Sequence, residues 1–149
     1  MIAHKLPPLL LIFVLVSWPA VCADATAGSV KTVQGAAFAR RGAERLPMRE
    51  GMHLVVNDVL ETGADGRLGV ILQDGTRLAL GPNAELRMDQ FVYQPVDGKF
   101  GLLLRLSRGA LAYISGKIAQ FSAESVKVET PAGVIGLRGT HFAVSIEGM

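Results

Sequence analysis

The sequence predicts an all-β fold: a single domain of short antiparallel strands, arranged as a roll or solenoid-like stack or as a sandwich. Three observations predict it. Short apolar-alternating runs are broken by Gly, Asp-Gly or Pro signals at the roughly 8–12-residue spacing of all-β domains. Glycine supplies 17 of 149 residues, above the usual share of roughly 7%, as a turn-rich chain requires. Half of the residues are hydrophobic and 19% are charged, enough to build a core and too apolar for disorder. The length suits one domain.

The first residues stand apart from this pattern. Lys5 precedes an unbroken apolar run over residues 9–16, Pro19 ends it, and Val21-Cys22-Ala23 leads to Asp24. That order is the n-region, h-region and cleavage site of a secretory signal peptide, assigned to residues 1–23, with Ala25 as the second cleavage choice. An uncleaved anchor is the alternative, against which stand the short run and Pro7, Pro8 and Pro19. Lipidation at Cys22 is disfavoured because Val21 is large for the position before a modified cysteine. Cleavage leaves no cysteine and no stable membrane span, so a mature chain in an oxidising compartment relies on burial alone.

The β domain is assigned to residues 28–146. Residues 30–33 and 36–40 flank Gly35, and residues 54–56 and 59–62 flank Asn57-Asp58. Residues 68–73 and 76–80 flank Asp74-Gly75, the strongest hairpin signal in the chain. Gly81-Pro82-Asn83 is a second turn, followed by a longer strand over residues 85–94. Asp97-Gly98 turns into residues 102–106, and strands over 110–115, 118–122 and 126–130 follow. The last strand, 140–146, alternates strictly: Phe142, Val144 and Ile146 on one face, His141, Ala143 and Ser145 on the other. No helix is expected. The Asp-Gly pairs at 65–66, 74–75 and 97–98 are unevenly spaced, so no strict repeat period emerges.

Chemistry is scarce. Beyond the leader there is no cysteine, and the histidines are His53 and His141. No G-x-S-x-G elbow, metal-ligand spacing or D-x-D-x-D-G loop occurs. Gly116-Lys117 imitates a phosphate loop, but Leu111 stands where its first glycine belongs and Ile118 where Ser or Thr does. The reading is therefore no enzyme, with no cofactor implied. A net charge of +2 argues against nucleic acid as a partner. Asp58, Asp65 and Asp74 read as turn residues that bond their own backbone. Arg40, Arg41, Arg45 and Arg49, in a turn-like stretch with Glu44 and Glu50, read as a solvated and partly self-paired loop or as a docking patch for an acidic partner. Gly133, Gly136 and Gly139 call for tight backbone, and Arg138 between the last two either caps loop carbonyls or is an exposed recognition side chain.

That stretch carries a resemblance. Thr130-Pro131, then Gly136-Leu137-Arg138-Gly139-Thr140 and Phe142, resemble the TP…GxRGT.F.V signature of the FecR domain. Asp58-Val59-Leu60-Glu61-Thr62-Gly63, Gly66-Arg67, Asp74-Gly75-Thr76 and Leu78-Ala79-Leu80-Gly81 resemble its earlier run, and Leu106, Gly109 and Ser115-Gly116 its middle. The similarity covers roughly residues 28–146. It implies an extracytoplasmic all-β domain, typically in the periplasm of a Gram-negative bacterium. In the founding members this domain follows a cytoplasmic sigma-factor-binding segment and a membrane helix. There it relays the state of an outer-membrane iron-siderophore receptor. Here a signal peptide is expected where that segment would lie, so direct sigma-factor control is not expected. The chain also reaches Met149 where members usually continue through another β-stretch, so a short variant or a strand supplied by a partner is expected. The family contributes no catalytic residues.

The expectation is a non-enzymatic, periplasmic or secreted module for protein interaction, signalling or scaffolding, with another envelope protein as partner. The motif residues Asp58, Thr62, Gly63, Asp74, Gly75, Thr76, Thr130, Pro131, Gly136, Arg138, Gly139 and Thr140 are read as structural. The partner strand is read at His141, Ala143, Val144 and Ser145, where an open edge near 140–146 would accept a strand by β-augmentation. The alternative is an envelope glycan- or peptidoglycan-binding module, weakened by the few aromatic side chains beyond the leader.

Overall fold

The computed structural model describes residues 25–136 and 141–147, with Ser17 and Pro19. The expected signal peptide and the motif residues Arg138, Gly139 and Thr140 therefore lie outside the described residues, Ser17 and Pro19 excepted. The strands are β1 (Thr26–Gln34), β2 (Ala37–Arg41), β3 (Glu44–Pro47), β4 (His53–Val55), β5 (Val59–Thr62) and β6 (Arg67–Leu72). They continue with β7 (Arg77–Leu80), β8 (Glu85–Gln94), β9 (Lys99–Ile114), β10 (Val126–Thr130), β11 (Gly133–Gly136) and β12 (His141–Ile146). One short helix, α1 (Lys117–Phe121), lies between β9 and β10.

All twelve strands join into one curled, half-barrel sheet, so the roll-like form of the expected all-β fold is the one found. Its path runs β3-β2-β5-β8-β9-β7-β6-β1-β4, with β10, β11 and β12 attached beside it. The long strand β9 is the spine. Residues 99–108 pair with β8, and residues 111–114 pair with β7 on one side and β12 on the other. The ladders are antiparallel except that of β10, which runs parallel to β9 along residues 102–105.

Alternation puts one row of each strand inside. Leu68, Val70 and Leu72 of β6, Leu86 and Met88 of β8, and Leu102, Leu104, Leu106, Leu111 and Tyr113 of β9 form the buried core with Leu54 and Leu60. Each such leucine contributes about 1.5–3 kcal/mol on burial. The Asp74-Gly75 hairpin joins β6 to β7, and Asp97-Gly98 leads into β9, as the turn chemistry predicts.

Three local expectations are corrected. Residues 118–122, expected as a strand, form α1, because the backbone N–H groups of Lys117 and Ile118 are both taken up by Asp74, which starts a helical turn. Residues 102–106 and 110–115, expected as two strands, belong to the single β9. Gly109 at φ +84° bends the strand there without ending it, and a Cβ at that position would overlap the Ala84 backbone. Around Asn57-Asp58, where two strands are expected and found, β4 pairs with β1, and β5 pairs with β2 and β8. The arginine cluster is a loop only at Arg49, which follows β3. Arg40 and Arg41 end β2 and Arg45 lies on β3, in a hairpin.

Candidate functional site

The family-motif residues that the structure describes fall into two buried latches and one turn. Asp58 is fully buried after the left-handed Asn57 (φ 73°). Its carboxylate accepts Arg41 Nε at 2.9 Å and Nη2 at 2.8 Å, a bidentate pair, and the Val55 N–H at 3.0 Å. The same guanidinium donates to the His53 carbonyl at 3.1 Å, so β2, β4 and the turn before β5 are tied at one point. Beside it, Thr62 Oγ1 donates to the Gly81 carbonyl at 2.6 Å and accepts the Ala84 N–H at 2.9 Å. Gly63 bonds Ala36 through its N–H, and its carbonyl accepts from Gly66 and Asn83.

The second latch is Asp74-Gly75-Thr76. Asp74 is 1% exposed and Thr76 fully buried. The carboxylate accepts Thr76 N–H at 3.1 Å, Thr76 Oγ1 at 2.7 Å and Ile118 N–H at 3.1 Å, while its carbonyl accepts Lys117 N–H at 2.8 Å. Gly116 lies so close that any Cβ would overlap Thr76, which explains a Ser-Gly pair ahead of α1. Tyr113 completes this corner. Burial raises its phenol pKa, Thr76 and Ser115 pull it down, and the Asp74 charge adds to the rise. The hydroxyl nevertheless closes no hydrogen bond of standard geometry among the described residues. Its ring stacks on Phe142 of β12, centroids 4.9 Å apart.

Thr130 and Pro131 form the turn between β10 and β11. Thr130 Oγ1 accepts the Ala132 N–H and donates to the Gly133 carbonyl, and Gly136 pairs with Lys127. The carboxylates of Asp58 and Asp74 are spent on internal bonds, while Thr130 and Pro131 line a shallow surface pocket with Arg105 and Glu129. Among the described residues no group of three or more His, Cys, Asp or Glu is placed to hold a metal ion. No described helix is long and apolar enough to cross a membrane.

The predicted partner strand is placed differently. His141, Ala143 and Ser145 of β12 are exposed and Phe142, Val144 and Ile146 half-buried, the alternation the sequence predicts. Its register on β9 runs from His141 opposite Ile114 to Ile146 opposite Gly109. Among the described residues β12 pairs with β9 alone, so its other side is an edge of the sheet.

Of the four clustered arginines, Arg40, Arg41 and Arg45 are drawn into ion pairs. Arg40 meets Glu61 and Glu85, Arg45 meets Glu61 and lies 3.8 Å over the Phe38 ring, and Arg108 meets Glu85. Farther along, Arg87 and Arg105 share Asp89, and Arg105 reaches Glu129. Sequence reasoning missed the Arg41–Asp58 pair, because seventeen residues separate the two and no local spacing announces the contact. It also missed Tyr113, whose burial depends on β12 and the Asp74 turn together.

Comparison with known proteins gives one result. The family model described as FecR protein matches residues 58–149, more than half of the chain. No curated protein and no solved structure matches it.

Proposed function

From the premise that the chain belongs to the FecR family, we propose that it is a non-enzymatic module of the bacterial cell envelope, exported to the periplasm or secreted. It signals or scaffolds by binding another envelope protein through the edge of β12. The single observation that supports the binding mode is that edge. A six-residue strand with no Lys, Arg, Asp, Glu, Pro or Gly borders the sheet, and such a strand offers backbone donors and acceptors to an incoming one.

The rest of the molecule supports the same reading. The carboxylates of Asp58 and Asp74, the described motif groups that look chemical, are consumed in latches, whereas the β12 edge has backbone groups to offer. Capture from the native envelope tests this: crosslinking, then mass spectrometry, for the wild type and for Val144→Asp. A defined partner captured by the wild type and lost in a still-folded Val144→Asp supports the reading. Capture that persists in that variant refutes the edge.

A glycan reading has one observation in its favour. Phe121, 63% exposed, stacks on Phe100 with centroids 5.3 Å apart, a platform of the kind sugars rest on. Titration with peptidoglycan fragments tests it, and absence of saturable binding removes it.

A further inference from the structure

Four strands have a neighbour on one side only among the described residues, and three of them carry features that discourage pairing; the flank of β8 beyond Met88, past the end of β5, is unpaired too, and it opens on the charged Asp89. β3 presents Glu44 and Arg45 and ends at Pro47. β4 is three residues long, and its His53 carbonyl is already taken by Arg41. β11 is four residues long and bounded by Gly133 and Gly136. Charges, proline and shortness are the usual means by which edges avoid one another. β12 has none of these: it is six residues long, and its sequence is His-Phe-Ala-Val-Ser-Ile.

Its sequence is also complementary to itself. In an antiparallel pair, residues directly opposite share a face, so two copies of β12 related by a two-fold axis must meet with an inward residue facing an inward one. Centring the axis on Val144 sets Val144 against its own copy and Phe142 against Ile146, joining the two half-buried apolar rows. On the outer face it sets Ala143 against Ser145 and His141 against Glu147, an imidazole opposite a carboxylate at both ends. Moving the axis to Ala143 or Ser145 loses both His–Glu matches and one of the apolar pairs. One register is therefore favoured over its neighbours.

We propose that β12 pairs antiparallel with β12 of a second copy of this chain, centred on Val144, extending the sheet across a symmetric dimer. The inference rests on reading β12 as an open pairing edge, and it adds a consequence: a hetero-partner strand and the second copy compete for one edge. Self-pairing then guards the edge until the partner arrives.

The test is sedimentation velocity on the protein purified after export, from about 1 to 200 μM. The wild type is expected to shift from monomer to dimer across that range. Glu147→Lys should raise the dissociation constant at least tenfold, and His141→Glu combined with Glu147→Lys should restore it, because a carboxylate then faces an ammonium at the same two positions. Val144→Asp should be monomeric throughout, and Ala79→Asp, on β7 away from the edge, should dimerise as the wild type does. A wild type that is monomeric at every concentration overturns the proposal, as does a dimer indifferent to Glu147→Lys and to Val144→Asp. Should the protein be monomeric and still capture an envelope protein through β12, self-pairing fails and the functional reading stands. A dimer that responds to these variants but captures no envelope protein upholds self-pairing and overturns the functional reading.

Discussion

Replacing Asp74 with alanine removes one carboxylate and leaves three donors behind in a buried corner: the Thr76 and Ile118 N–H groups and the Thr76 hydroxyl. The hydroxyl can rotate to another acceptor, but the two amides cannot. A buried donor stranded in this way costs about 1–3 kcal/mol, and hydrogen bonds to a charged group contribute about 1.5–3 kcal/mol each. With some relief from water entering the vacated space, the loss should come to about 3–5 kcal/mol. That is a large part of the roughly 5–15 kcal/mol that holds a domain together. At about 4 °C per kcal/mol for a domain of this size, Tm should fall by roughly 12–20 °C. Asp74→Asn keeps one acceptor but turns an amide N–H₂ toward other donors, so it should lie between alanine and wild type. Thermal unfolding followed by circular dichroism gives the numbers. Amide hydrogen exchange at Ile118 reports whether the start of α1 loosens first. An Asp74→Ala variant melting within about 4 °C of wild type, roughly 1 kcal/mol, would refute the assignment of this motif as a structural latch.

Three further predictions rest on the same geometry. Arg41→Ala strands the buried Asp58 carboxylate and should destabilise by about 2–4 kcal/mol in urea unfolding, whereas Arg40→Ala, from an exposed ion pair, should cost about 0–1 kcal/mol; equal costs would contradict the distinction. Gly109→Ala forces a side chain into a positive-φ position against Ala84 and should lose more than the roughly 1–3 kcal/mol of backbone strain alone. A neutral result would mean β9 does not bend there. Burial raises the Tyr113 pKa above the usual phenol value of about 10. The folded state therefore holds its proton more tightly than the unfolded state. The resulting stability is present in full below pH 10 and is lost as pH rises through the folded-state value. Stability measured between pH 9 and 11.5 should fall for the wild type and fall less steeply for Tyr113→Phe, and parallel curves would contradict the assignment.

Local chemistry made much of the fold legible. Asp74-Gly75 and Asp97-Gly98 announce their hairpins, and the strict alternation from His141 to Ile146 announces a half-buried strand, because turn preference and pleat period are properties of neighbouring residues. Two features were hidden because they depend on residues far apart in sequence. Residues 118–122 read as a strand, and it is Asp74, more than forty residues earlier, that fixes residues 117–121 as a helix. Gly109 looks like a strand terminator, and only the closeness of Ala84 shows it to be a bend. The same holds for the candidate site. Its edge strand could be read from the pattern 141–146, but the contrast with the charged, short or glycine-bounded edges of β3, β4 and β11 required knowing which strands lie at the borders.

The central claim, that β12 is the pairing surface, is tested most directly by a photoreactive side chain placed in turn at Ser145 on β12, Arg45 on β3, His53 on β4 and Val134 on β11, in cells exporting the protein. Adducts concentrated at Ser145, whether to a second copy or to another envelope protein, are what the account predicts. Adducts confined to any of the other three edges, or none at Ser145 with export verified, would contradict it.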